Sequence, residues 1–271
     1  YLTPEGKPTV PEIMADSGWT TINVNENPDE FANAKSTPLF AYQTGFASGA
    51  FEYAIDRKYS MKKEYTIADY TKKGIQLLDN PNGFFMMIEG GKIDWAGHAN
   101  DAVANIHDTL AFDEAVMEAL EFYKEHPEET LIVVTGDHEC GGLTLGWAGT
   151  GYQSAFDVFS KQKVSYEWFN KYVLRSYKEN HSVEEAKLSD LKDEIGKYFG
   201  LTDWSDREEA KLKQAFQSSM QGEKERPQNA QTYLMYGGYE PLTVTITHLV
   251  NNRAGVSWTS YSHTGVPVPV F

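Results

Sequence analysis

Two short segments carry acidic and histidine side chains at spacings that suit metal binding. Asp94 and His98 are four residues apart where a helical pattern begins, so both side chains project from one helix face. Asp137 and His138 directly follow an apolar run. Mixed carboxylate and imidazole ligands suit Zn²⁺, whereas Glu89, a hard oxygen ligand after an earlier apolar run, is better suited to Mg²⁺. These five residues predict metal-dependent chemistry.

Each of these residues also has an ordinary structural interpretation. The acids could cap helices and the histidines could be satisfied in a core, and for any one of them alone this interpretation is favoured. Five such residues at two strand ends of one unit favour the metal site instead. Cys140, the single cysteine of the chain, follows His138 by two residues. It could supply a thiolate, but a small buried residue is the favoured interpretation.

Two apolar runs and the helix between them are predicted to position these side chains. Phe84–Ile88 and Leu131–Thr135 are typical of strands buried on both faces. Between them, apolar residues recur at helical spacing. This order predicts a β-α-β unit with parallel strands. Ligands of open α/β sheets bind beyond the carboxyl ends of the strands, which is where the acids and histidines lie.

Three motifs together carry a resemblance to a known family. They are IEGGKIDWAGH at 88–98, VVTGDHECGG at 133–142 and SHTG at 262–265. In combination they resemble the alkaline phosphatases, which hydrolyse phosphate monoesters with two zinc ions and one magnesium ion. The resemblance implies an α/β fold in which a mostly parallel sheet is flanked by helices, here incomplete.

The resemblance also implies roles for individual residues. The implied metal ligands are Asp94, His98 and His263 for one zinc, Asp137 and His138 for the second, and Glu89 for magnesium. Trp95 lies between two of these ligands and would either form a wall of the substrate site or pack under the loop.

The family's nucleophilic serine is not among the matched residues. In alkaline phosphatases that serine, a carboxylate shared by zinc and magnesium, and a phosphate-binding arginine all precede the region that this chain resembles. We therefore expect the chain to correspond to the C-terminal part of a phosphatase and to be inactive by itself. Asp16 and Ser17 match the family's Asp-Ser pair superficially, but no apolar strand precedes them, and a helix C-terminus is favoured.

Two other functions stay open at this point. A related metal-dependent phosphomutase or sulfatase-like hydrolase would use the same sheet with a different nucleophile, although the IEGGKID and HTG contexts favour a phosphatase. The other alternative is a non-catalytic metal-binding fragment, which is what a chain without a nucleophile would be in practice.

The charge of the chain limits its partners. Twenty-four basic and 39 acidic residues give a net charge of −15, which argues against nucleic acid and anionic membranes as partners. An anionic phosphate monoester then requires bound metal ions to reverse the local field. The chain contains no long apolar stretch and no recognisable signal peptide. A homodimer and a periplasmic or extracellular location are implied by the resemblance alone.

The domain organisation follows from a change in composition after the second motif, where the chain becomes more polar. Residues 1–148 and 232–271 are predicted to form the α/β metal-binding core. Residues 149–231 are polar and read as a helical insertion, comparable to a crown or lid, with a capping box at Ser205. Thr243–His248 alternates as a strand would, and a further strand over Val256–Tyr261 would lead to His263.

Overall fold

The computed structural model describes residues 6–43, 50–60, 65–222 and 229–271. Its α-helices are α1 (Val10–Asp16), α2 (Pro28–Asn33), α3 (Ile67–Leu78), α4 (Gly91–His98), α5 (Ala102–Glu125), α6 (Tyr166–Phe169), α7 (Arg175–Asn180), α8 (Lys192–Phe199), α9 (Asp206–Met220), α10 (Ala230–Tyr236) and α11 (Pro241–Ala254). Its strands are β1 (Thr20–Asn23), β2 (Leu39–Tyr42), β3 (Glu139–Cys140), β4 (Thr144–Leu145), β5 (Val256–Ser257) and β6 (His263–Thr264). Residues 223–228 of the predicted insertion lie outside the described residues.

The strands form three pairs, and the chain divides into two compact units. Strands β1 and β2 are parallel, whereas β3 pairs with β6 and β4 with β5 in antiparallel fashion. One unit comprises Tyr1–Gly90 and Asp108–Val133, and the other comprises Gly91–His107 and Val134–Phe271. All the predicted zinc ligands therefore belong to the second unit, and the predicted magnesium ligand belongs to the first.

The first unit has a small core against the parallel pair. Ile22, Val24 and Phe31 are buried, and the rings of Tyr65 and Tyr70 lie 5.0 and 4.6 Å from the Phe31 ring. Thr9 and Thr66 start α1 and α3 with capping boxes, in which the side chain accepts a backbone N–H and an acid three residues later binds back.

Ser17 occupies the C-terminal cap of α1, as the sequence predicts. Its hydroxyl donates a hydrogen bond to the Ile13 carbonyl at 2.8 Å, and Gly18 continues with a φ of +85°. This left-handed conformation after a helix is typical of glycine. The Asp16-Ser17 pair therefore ends a helix.

The two apolar runs are not the doubly buried strands that the sequence predicts. Along Phe84–Ile88 and Leu131–Thr135, exposed and half-buried side chains alternate, and Phe85 is 88% exposed and Leu131 87% exposed. Phe84–Ile88 makes no backbone–backbone hydrogen bond within the described parts of the chain. In the second run, Val134 exchanges backbone hydrogen bonds with Phe271 at 3.0 and 2.9 Å, and Thr135 forms an isolated antiparallel bridge with Val270. One face is covered, for example by the contact between Met86 and Gly74. The prediction fails because, among the residues that the structure describes, no strand covers the exposed face of either run.

The second unit is built around α11, and this corrects a second prediction. The segment Thr243–His248 is helical rather than a strand. Pro241 starts the helix and Gly255, with a φ of +79°, ends it. Almost every residue of α11 is buried, so no exposed face reveals the helical period in the sequence. The following strand is also shorter than predicted, because β5 covers Val256–Ser257 alone.

Helices also dominate residues 149–222. Ser205 starts α9 with a complete capping box that includes Glu208, as the sequence predicts. Leu212, Ala215 and Phe216 of α9 are buried, and α9 packs against α11. Over the described ranges, no helix combines the length and the apolar composition needed to cross a bilayer.

Candidate metal centre

Helix α4 presents the first two candidate ligands, and its end is sharply defined. Asn100 has a φ of +52°, and its amide and that of Asp101 bond back to the carbonyls of Gly97 and Ala96 at 3.0 Å each. This is a Schellman-type ending, in which asparagine replaces the usual glycine. Asp101 then caps α5 through a 3.1 Å hydrogen bond from the Ala104 amide.

The buried side chain of Asn100 ties the end of α4 to the segment that precedes His263. Its Nδ2 donates to the carbonyls of Gly97 and Ser260 at 2.9 Å each, and its own carbonyl accepts from Asn251 of α11 at 2.8 Å. The side chain and the backbone carbonyl of Asn100 thereby join three elements of the second unit, which limits where His263 can lie.

Strands β3 and β6 bring the remaining candidates to α4. Cys140 is paired directly with His263 in the antiparallel register. Gly97 faces this pair so closely that a Cβ there would lie 3.1 Å from the Cβ and from the carbonyl oxygen of Cys140. Gly141 has a φ of +87°, and a Cβ there would lie 2.7 Å from the Gly97 carbonyl. Two glycines therefore permit the close approach of β3 to α4.

Three ligand atoms converge at distances typical of a shared metal ion. Asp94 Oδ1 lies 3.4 Å from His98 Nε2 and 3.3 Å from His263 Nε2, and the two imidazole nitrogens lie 3.1 Å apart. Bonds of about 2.0–2.1 Å to a tetrahedral zinc would place such atoms about 3.3 Å apart. The triangle thus has the dimensions of one face of a zinc tetrahedron.

The orientation of His98 supports the same interpretation. Its Nδ1 lies 2.6 Å from the Tyr261 carbonyl oxygen, and because a carbonyl accepts, Nδ1 carries the proton. The Nε2 of a neutral His98 then carries a lone pair, and it lies 3.4 Å from Asp94 Oδ1. Asp94 Oδ1 is buried and has no hydrogen-bond partner in the described structure. A cation between these atoms would satisfy all of them, and a carbonyl behind a ligating histidine is a common outer-shell partner.

Asp137 and His138 form a second group beside the first. His138 Nε2 lies 3.3 Å from Asp137 Oδ2, and the His138 ring stacks on the His263 ring with centroids 3.4 Å apart. The side chain of Asp137 is 85% exposed. The two predicted zinc groups are therefore adjacent in the structure, and the second is the more open.

Cys140 joins the first group, which the sequence argument did not favour. Its Sγ, Asp94, His98 and His263 offer ligand atoms that lie within 4.8 Å of one another. Burial raises the pKa of the Cys140 thiol, and the neighbouring carboxylates of Asp94 and Glu139 raise it further. No spacing along the chain signals this contact, because the register of β3 with β6 sets which side chains meet.

Three other acidic or aromatic residues of these motifs lie outside the group of four. The Glu139 carboxylate is occupied, because it accepts hydrogen bonds from the Gly142 amide and the Thr264 hydroxyl. Trp95 is 40% exposed, and the Lys92 ammonium lies 4.7 Å from its ring centroid. Glu89, in the first unit, has an exposed side chain. The substrate role of Trp95 and the magnesium role of Glu89 stay predictions.

Comparisons with known proteins agree with the motifs. The family model for alkaline phosphatase matches residues 16–271. Alkaline phosphatase 4 of Bacillus subtilis (strain 168) is 31% identical over 227 residues, an alignment that covers 83% of this chain and 41% of that protein. The repressible alkaline phosphatase of Saccharomyces cerevisiae is 27% identical over 282 residues, covering 98% of this chain and 45% of that protein. The chain thus spans less than half the length of these two relatives.

Solved structures share the fold. The cold-active alkaline phosphatase from the psychrophile Shewanella sp. superposes with a TM-score of 0.68 at 23% identity, covering 95% of this chain and 55% of that one. The enzyme of Thermus thermophilus gives the same TM-score and identity, covering 95% of this chain and 51% of that one. The predicted α/β fold class is confirmed. The family match over nearly the whole chain leads to one conclusion: the chain belongs to the alkaline phosphatase family.

Proposed function

We propose that this chain supplies the C-terminal part of a metal-dependent phosphatase site that hydrolyses phosphate monoesters. The observation that carries the proposal is the triangle of Asp94 Oδ1, His98 Nε2 and His263 Nε2, with sides of 3.1–3.4 Å around a buried carboxylate oxygen that lacks a hydrogen-bond partner. The family membership supports the same reaction class.

The proposed metal ligands follow the two groups. Asp94, His98 and His263 would hold one zinc ion. Asp137 and His138 would hold the second, and Glu89 would serve magnesium. When bound, such ions polarise the oxygens of a phosphate ester and lower the pKa of the attacking oxygen nucleophile. They also offset the net charge of −15, which would otherwise repel an anionic substrate.

This chain's residues orient the site. The Tyr261 carbonyl fixes the tautomer of His98, and Asn100 holds α4 against the segment before His263. Trp95 would border the substrate. We propose that the 271-residue chain turns over little substrate by itself, since Ser17, its match to the family's Asp-Ser pair, serves as a helix cap. A periplasmic or extracellular location and a homodimer are further proposals taken from the family.

Zinc binding tests the proposal most directly. Isothermal titration calorimetry on the chain should show a tight zinc that is lost in His263→Ala and kept in His126→Ala, a control in the first unit. No tight zinc in the chain, or an unchanged isotherm in His263→Ala, would contradict the proposed site. A nitrophenyl phosphate assay on the same samples should show negligible turnover.

A further inference from the structure

The cross-strand partner of His263 has no role in the ligand set that the resemblance implies. That partner is Cys140, and its sulfur belongs to the same group of four as Asp94, His98 and His263. Directly paired residues on antiparallel strands present their side chains on one face, about 4.5–5.5 Å apart at Cβ. Cys140 is thus aimed at the metal position by the same strand pairing that delivers His263.

We propose that Cys140 is the fourth protein ligand of the metal held by Asp94, His98 and His263. This inference rests on the proposed function, because it concerns the same metal. Three edges of the ligand tetrahedron, which join the atoms from Asp94, His98 and His263, are already in place at 3.1, 3.3 and 3.4 Å. The fourth corner is the sulfur, no more than 4.8 Å from the other ligand atoms.

The remaining adjustment is small. A zinc–sulfur bond of about 2.3 Å would place the sulfur about 3.6 Å from the other ligand atoms, so the sulfur moves by roughly an ångström. Rotation about the Cα–Cβ bond of Cys140 supplies this movement without shifting the strand. The backbone is meanwhile held in place, because Gly97 and Gly141 allow close packing and the Gly141 amide donates to the Ser262 carbonyl at 3.0 Å.

Thiolate ligation has two chemical consequences. As the metal–sulfur bond forms, the thiol proton leaves to solvent, so the charge of the bound ion is offset by one thiolate and one carboxylate. A soft sulfur ligand also favours Zn²⁺ over Mg²⁺. Four protein ligands close the coordination sphere, as in structural zinc sites, whereas three leave a position for water or substrate. In this chain a substrate oxygen would therefore bind by expansion of the zinc to five ligands, which catalytic zinc sites allow.

Cobalt substitution provides the test, because Co²⁺ bound to a thiolate shows a sulfur-to-metal charge-transfer band in the near ultraviolet. Cys140 is the single cysteine, so any such band belongs to it. The band should appear with the first equivalent of Co²⁺ added to the chain and disappear when Zn²⁺ is added. Cys140→Ser should bind Co²⁺ without the band, and its zinc affinity should fall by at least the roughly 10- to 100-fold that losing an outer-shell partner costs.

Two controls separate failure of this inference from failure of the proposed function. His126→Ala, in the first unit, should keep the band. Co²⁺ binding that is lost in His263→Ala but never shows the band would overturn the role of Cys140 and leave the three-ligand site standing. No Co²⁺ or Zn²⁺ binding at all would overturn both. Protection of Cys140 from alkylation by bound zinc gives a second measurement on the unmodified chain, and unprotected labelling would count against ligation.

Discussion

The Nε2 atoms of His98 and His263 lie 3.1 Å apart although 165 residues separate them in the sequence. Helix α4 fixes the first histidine, and the pairing of β3 with β6 fixes the second. Neither nitrogen is placed by its own segment alone. Substitutions at Gly97 and Asn100 should therefore perturb the contacts that join these segments.

Gly97→Ala should push β3 away from α4. The new Cβ would lie 3.1 Å from both the Cβ and the carbonyl oxygen of Cys140, and one of these contacts is with backbone that cannot rotate away. We expect a loss of about 1–3 kcal/mol in the free energy of unfolding, together with weaker zinc binding. Chemical denaturation and calorimetry measure the two effects.

Gly265→Ala is the matched control for that substitution. It lies two residues after His263, and a Cβ there would meet no atom within 4 Å. Stability and zinc affinity should stay close to those of the unmodified chain. Equal effects of the two alanines would show that the close approach at Gly97 is unimportant.

Asn100→Ala should destabilise more than Asn100→Gly. Both remove the side-chain hydrogen bonds to the Gly97 and Ser260 carbonyls. The Gly97 carbonyl still accepts from the amide of residue 100, whereas the half-buried Ser260 carbonyl loses its Asn100 partner, which costs about 1–3 kcal/mol. The φ of +52° adds strain for alanine alone, by roughly 1 kcal/mol. Urea unfolding of both variants measures the difference, and an alanine variant as stable as the glycine variant would contradict it.

His248 should make stability fall as the pH falls through the range from 6.5 to about 4. Burial, followed by the nearby charge of Lys211, lowers the pKa of His248 from 6.5 to about 4, and its Nε2 lies 3.0 Å from Asn100 Oδ1. In that window the unfolded chain binds a proton that the folded chain does not, so the folded state loses on the order of 3 kcal/mol. Below it, both states are protonated and this contribution levels off.

His248→Gln tests this dependence without a titrating group. In the difference in unfolding free energy between the unmodified chain and the variant, the contributions of the titrating groups that both share cancel. That difference should shift with pH between 6.5 and about 4, in favour of the variant at the acidic end. A difference independent of pH would contradict the assignment.

Met87→Lys should reduce self-association. Met87 is 81% exposed on an apolar run that makes no backbone–backbone hydrogen bonds within the described chain, and such edges associate readily. Because a buried methionine contributes about 1.5–3 kcal/mol, the variant should associate roughly tenfold more weakly in light-scattering measurements. Met86→Lys, on the covered face against Gly74, should instead destabilise the fold. A chain that stays monomeric at high concentration would rule out this account.

Local chemistry made part of this protein predictable from sequence. Asp94 and His98 share a face because they are four residues apart on a helix, and Thr66 and Ser205 cap helices through contacts within three residues. Such features depend on short-range geometry that the residue types themselves encode. The three motifs likewise predicted the family that the comparisons confirm.

Tertiary structure decided what depends on distant neighbours. The sequence did not show that Thr243–His248 is helical. Helix α11 is buried on nearly all sides, so its sequence lacks the periodicity that distinguishes a helix from a strand. The run at Phe84–Ile88 has an exposed face because strand burial requires a partner that its own residues do not specify. The sulfur of Cys140 joins Asp94 because the register of β3 with β6, rather than any spacing along the chain, sets which side chains meet.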